Sequence, residues 1–91
     1  MAKKTPETIG PLTPLYGFME GDTLVILILG YGNETVASLI GKLQKSVALR
    51  VKTKISPRLI HNGKIVDPSL SLREAKIEAF DRVDVIEGSQ S

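Results

Sequence analysis

Few side chains in this sequence could act on a substrate. His61 is the only histidine and cysteine is absent. Ser56 is the hydroxyl nearest to His61 along the chain. A hydrolytic triad needs an oriented base, a nucleophile and a concave pocket, and a zinc site needs several His or Cys ligands at set spacing. One His within "HNG" (61–63) meets neither need and reads as a turn residue that tolerates unusual backbone angles. "GKLQKS" (41–46) carries Gly, Lys and Ser but lacks the glycine spacing of a phosphate loop. Without cysteine, disulfides, thiolate catalysis and cysteine-ligated clusters are excluded. The expectation is therefore no enzyme, no catalytic residue, no metal and no cofactor.

Charge is the next candidate for chemistry. The formal net charge is only +2, but the signs are segregated. Between Gly41 and Lys64 the basic residues Lys42, Lys45, Arg50, Lys52, Lys54, Arg58 and Lys64 occur without an acid. From Ile65 onward Asp67, Glu74, Glu78, Asp81, Asp84 and Glu87 outnumber Arg73, Lys76 and Arg82. A basic patch of Lys42, Lys45, Arg50, Lys52 and Lys54 could follow phosphates, which would show as steep salt dependence. No aromatic residue lies in that stretch to stack bases, and the acidic flank would repel a long polyanion. A solvated helix face or an acidic protein partner explains the charges equally well.

These residues must be carried by a single small domain, since 91 residues support one core. Residues 1–13, rich in Thr, Pro and Lys, read as an N-terminal extension, 14–88 as the domain and 89–91 as a short tail. No apolar run reaches the ~18 to 20 residues of a membrane span and no signal-type apolar stretch opens the chain, so a soluble cytoplasmic protein is expected. "PLYGFM", "EGD" and "TLVILIL" form a hairpin pattern with Gly21 and Asp22 as the turn. Thr35 is placed as an N-cap, and Val36, Leu39, Ile40, Leu43 and Val47 recur at helical spacing. Gly41 inside that helix costs about 1 kcal/mol relative to Ala unless something approaches it closely. "LRVKTKI" (49–55) fits an extended loop or a short edge strand. "RLI", "HNG" and "KIV" predict a second hairpin, "LSLREAKI" a short helical turn and "RVDVIE" a last strand.

This order resembles ubiquitin and its β-grasp relatives, most specifically over "RLIHNGKIVDPSLSLREAKIEAFDRVDVI" (58–86) and more weakly over "TVASLIGKL" and the first hairpin. The resemblance implies an α+β fold, a mixed sheet of four to five strands packed against one helix. In it the second strand lies at an edge and the fifth pairs parallel with the first. It places Tyr16, Phe18, Leu24, Ile26, Ile28, Val36, Leu39, Leu43, Leu59, Val66, Leu72, Ile77, Val83 and Val85 in the core. Val25, Leu27 and Leu29 then point away from it on an apolar edge strand, which is a site for a partner or for aggregation.

Ubiquitin-type modifiers and sulfur carriers act through a terminal Gly-Gly, whereas this sequence reads "VIEGSQS" and contains no adjacent glycine pair. Conjugation is not expected. Of ubiquitin's recognition surface, Arg58, Ile60, Lys64 and Ile86 match in kind, while Asp84 stands where the family has His and Gly21 where it has Leu. The first half also resembles the small β-grasp subunit of multicomponent toluene or alkene monooxygenases, in its Pro-containing strand, acidic turn "MEGD" and apolar second strand. The leading expectation is a non-catalytic interaction module, a small subunit or adaptor that meets a protein partner or a second copy. A divergent modifier or sulfur carrier is the alternative, and nucleic-acid binding through 42–64 a second one.

Overall fold

The computed structural model describes residues 12–88. The expected tail 89–91 and residues 1–11 of the expected extension lie outside the described residues. Strand β1 (Leu12–Met19) turns at Gly21 into β2 (Val25–Tyr31), followed by helix α1 (Val36–Ser46), β3 (Pro57–His61), β4 (Lys64–Val66) and β5 (Arg82–Glu87). The five strands form one sheet in the order β2-β1-β5-β3-β4. β1 and β5 run parallel and the other neighbours antiparallel, so β2 is an edge as expected. Leu12 and Thr13 already pair with Tyr31 and Gly30, which moves the start of the domain two residues ahead of the expected boundary at 14.

Local chemistry accounts for the joints. The Thr35 hydroxyl accepts the Ser38 N–H at 3.1 Å and opens the helix. Two further N–H groups of its first turn, on Val36 and Ala37, donate to the carbonyls of Leu70 and Pro68, so the 67–72 loop closes the helix end. Ser71 and Glu74 bond reciprocally as a capping box, starting the short turn predicted from "LSLREAKI". Asn62 and Gly63 both take positive φ, as a two-residue hairpin with that sequence requires. "LRVKTKI" is a loop rather than an edge strand. Gln44 clamps it through two bonds to Lys54, and Glu87 accepts the N–H groups of Ile55 and Ser56.

The helix lays Val36, Leu39, Ile40 and Leu43 against the sheet. There they meet Leu15, Met19, Ile28, Leu59, Leu72, Ile77, Val83 and Val85. The expected core needs correction at five positions. Tyr16 and Leu24 are exposed, and Phe18 alternates with the buried Gly17 and Met19. The phase of β1 is set by its parallel partner: Gly17 and Met19 stand beside Val83 and Val85, which are buried. Because paired residues share a face, Leu15, Gly17 and Met19 go inward and the two aromatics outward. Ile26 and Val66 are partly buried against the core rather than within it.

Two glycines make this packing testable. A Cβ on Gly17 would collide with a methyl of the buried Leu43, whereas nothing lies within 4 Å of one on Gly41. Gly41→Ala should therefore raise stability by about 0.5–1 kcal/mol, and Gly17→Ala should lower it by about 1–3 kcal/mol through overpacking. Urea melts of the two variants check both signs, and a destabilised Gly41→Ala would contradict this packing.

Candidate functional site: the uncovered face of the sheet

With the helix on one face, the alternation of each strand fixes what the other face carries. On β1 these positions are Leu12, Pro14, Tyr16 and Phe18, paired across to Tyr31, Leu29, Leu27 and Val25 on β2. Not one of these eight side chains is charged. Val25, Leu27 and Leu29 stay 49, 60 and 47% exposed, so the described residues leave the expected edge residues uncovered. Phe80 adds a second aromatic beside Tyr16, ring centroids 6.1 Å apart. Phe80 is exposed and has φ +67°, a conformation that costs a bulky side chain about 1–2 kcal/mol. Its N–H bonds to Pro14 C=O, and the Tyr16 N–H to Asp81 C=O, which ties the Phe80 loop to β1.

Next to this apolar half lies a polar seam. Arg82 donates twice to Asp84, at 2.9 and 3.0 Å, and its guanidinium sits 4.0 Å from the centre of the Phe18 ring. Beyond the seam come Ile60, paired with Asp84 and Ile65, and Ile86, paired with Arg58. A shallow cleft of about 500 Å³ runs between Ile60, Asp81, Arg82, Asp84 and Ile86. Arg58, Ile60 and Ile86 are thus brought together as expected. Lys64 is not, because it pairs with the buried His61 and so belongs to the helix side. Exposed Ile65 takes its place.

The expected basic patch is largely engaged within the chain. Arg50 holds Asp22 with contacts of 2.6 and 3.1 Å, Lys42 bonds Glu34 and the Leu29 carbonyl, and Lys54 bonds the Glu20 carbonyl at 2.9 Å. Lys45 sits in the last helical turn, where a cation suits the carbonyl end of the helix, and Lys52 is exposed on the loop.

Sequence reasoning missed three features. His61 is no turn residue: it ends β3, is buried, and its Nε2 lies 2.8 Å from Asp81 Oδ2, fixing the loop that carries Phe80. Its place as the inward partner of Lys64 across a two-residue turn could have been read from "HNGK". Phe80 gave no signal, since its backbone angle follows from tertiary contacts. Leu49 and Ile55 stand fully exposed on the clamped 47–56 loop, visible in sequence only as apolar residues within a basic stretch. No helix among the described residues is long and apolar enough to cross a membrane.

No family model matches this sequence, and no curated protein matches it. Solved structures do. A chain of the toluene 4-monooxygenase HD complex with the inhibitor 4-bromobenzoate superposes with a TM-score of 0.77 at 18% identity, covering 85% of this chain and 99% of that one. Ubiquitin from Caldiarchaeum subterraneum gives 0.70 at 13% identity over 89% of this chain and 99% of its own. The ubiquitin-like domain of a Plasmodium falciparum protein gives 0.70 at 17% identity, over 86 and 100%. The chain has the ubiquitin-like β-grasp fold.

Asp22 is held below the usual carboxylate range by its bond from Arg50, Asp67 by the bonds from Ser69, and Asp81 by the Glu78 N–H with help from His61. Groups depressed on folding contribute stability above their ordinary unfolded pKa of about 3.8 and lose it as pH falls through the folded value. Melting temperature should accordingly be insensitive to these groups near neutrality and drop below about pH 4. Asp81→Asn should flatten that acid limb, and an unchanged limb would contradict the assignment.

Proposed function

We propose that the chain is a non-catalytic interaction module that docks into a larger protein assembly through the open face of its sheet. The observation that carries this reading is the charge-free apolar surface of Leu12, Tyr16, Val25, Leu27, Leu29 and Phe80. If about half of the ~150–250 Å² of each large side chain is accessible, they expose on the order of 600 Å², the upper end of what a lone soluble protein shows. Phe80 supports it further, since an aromatic at positive φ costs stability and returns little unless something packs on it.

A specific version, a small subunit of a multicomponent monooxygenase hydroxylase, draws support from the likeness to a chain of the toluene 4-monooxygenase complex, which spans nearly all of that chain. The internal engagement of Lys42, Arg50 and Lys54 weighs against a phosphate-tracking surface.

Native copurification from the source cell, with variants as controls, tests the reading. The wild-type chain should elute with a stoichiometric polypeptide, and Leu27→Asp should lose it while melting cooperatively. Phe80→Gly should weaken the association about tenfold or more without lowering the melting temperature. A wild-type chain that elutes alone at native abundance, or a partner indifferent to both substitutions, would contradict it.

A further inference from the structure

The outer edge of β2 should be a hazard, because its sequence, "VILILGY", carries no charge and no proline to discourage an added strand. Its backbone orientation follows from the neighbouring chain. Within an antiparallel pair the N–H and C=O of one residue point to the same side, and the side alternates along the strand. Pro14 has no N–H, and its C=O is turned toward Phe80 on the side away from β2. Its partner Leu29 therefore points its own polar groups outward, as do Val25, Leu27 and Tyr31.

Two of these outward groups are already occupied. The Tyr31 N–H donates to Glu34 Oε1 at 3.1 Å, and the Leu29 C=O accepts from Lys42 Nζ at 2.8 Å. The two side chains hold each other through a 2.9 Å ion pair. The Ser38 hydroxyl bonds the other Glu34 oxygen, and the Lys42 ammonium lies 5.4 Å from the centre of the Tyr31 ring. Glu34 is 9% exposed, so its carboxylate is a built part of the edge. An incoming strand would need the Tyr31 N–H and the Leu29 C=O as its own partners.

We propose that Glu34 and Lys42 form a latch that seals the β2 edge against strand addition, and that opening it lets β2 pair antiparallel with β2 of a second copy. A two-fold pairing would set one uncharged strand against its twin, with no like charges opposed. The latch stands whether or not the open face docks a protein, because it concerns the strand's edge and not its exposed face.

The test compares the full-length wild type with Glu34→Ala/Lys42→Met by sedimentation velocity over a concentration series and by amide exchange. The double variant should associate at a concentration at least about tenfold lower than the wild type. Its Leu27 and Leu29 N–H groups should exchange about tenfold more slowly in the associated form. On that background Leu27→Pro, which removes an outward donor without breaking a bond to β1, should abolish the association, while Leu27→Ala should keep it. If the double variant does not fold, Lys42→Met alone frees the Leu29 carbonyl and should show the same two changes in weaker form. A folded variant that sediments and exchanges like the wild type, or an association that survives Leu27→Pro, would overturn the latch.

Discussion

A helix of eleven residues is about 16 Å long and, with side chains, about 10 Å across, whereas five strands at about 4.8 Å spacing make a sheet more than 20 Å wide. It can shield one face and no more. Everything distinctive about this chain follows from how its strands respond. β5, β3 and the short turns bury one side and present polar or moderately apolar groups on the other. β1 and β2 are apolar on both sides, so their outer side chains have no cover among the described residues. Burying one such side chain is worth about 1.5–3 kcal/mol, and no described residue collects that gain.

The order of elements, the edge position of β2, the N-cap at Thr35 and the inward stripe of α1 were legible in the sequence, because each rests on a local signal: turn residues, a capping hydroxyl, or a period of 3.6. The phase of β1 was not. In "LYGFM" every residue is apolar or glycine, so alternation carries no information, and parity comes from the register with β5, 66 positions further along the chain, rather than from the strand itself. Tyr16 and Phe18 were accordingly expected inside and lie outside. That exchange enlarges the apolar face well beyond the three residues of β2 that the sequence suggested.

The site was partly legible for a similar reason. Pairing decides which neighbours share a face, and one residue of hairpin register removes Lys64 from the Ile60 and Ile86 group and puts Ile65 there. Charge was more misleading than hydrophobicity. A run of basic residues looks like a surface for polyanions, but Lys42, Arg50 and Lys54 each reach a partner 13 to 34 positions away and fasten the edge of β2, the first turn and the loop after the helix. The same charges that suggested a ligand instead stiffen the frame around the open face.

The central claim is that this face is bare in the free chain and available to a partner. Methyl-resolved NMR of the full 91-residue chain with a paramagnetic cosolute in the solvent tests it most directly. The account predicts that the methyls of Val25, Leu27 and Leu29 are attenuated nearly as strongly as those of the fully exposed Leu49 and Ile55, and far more than those of buried Leu15 and Leu43. Methyls on β2 protected to the level of Leu15 in a monomeric sample would mean that the chain covers its own face, and would contradict the account.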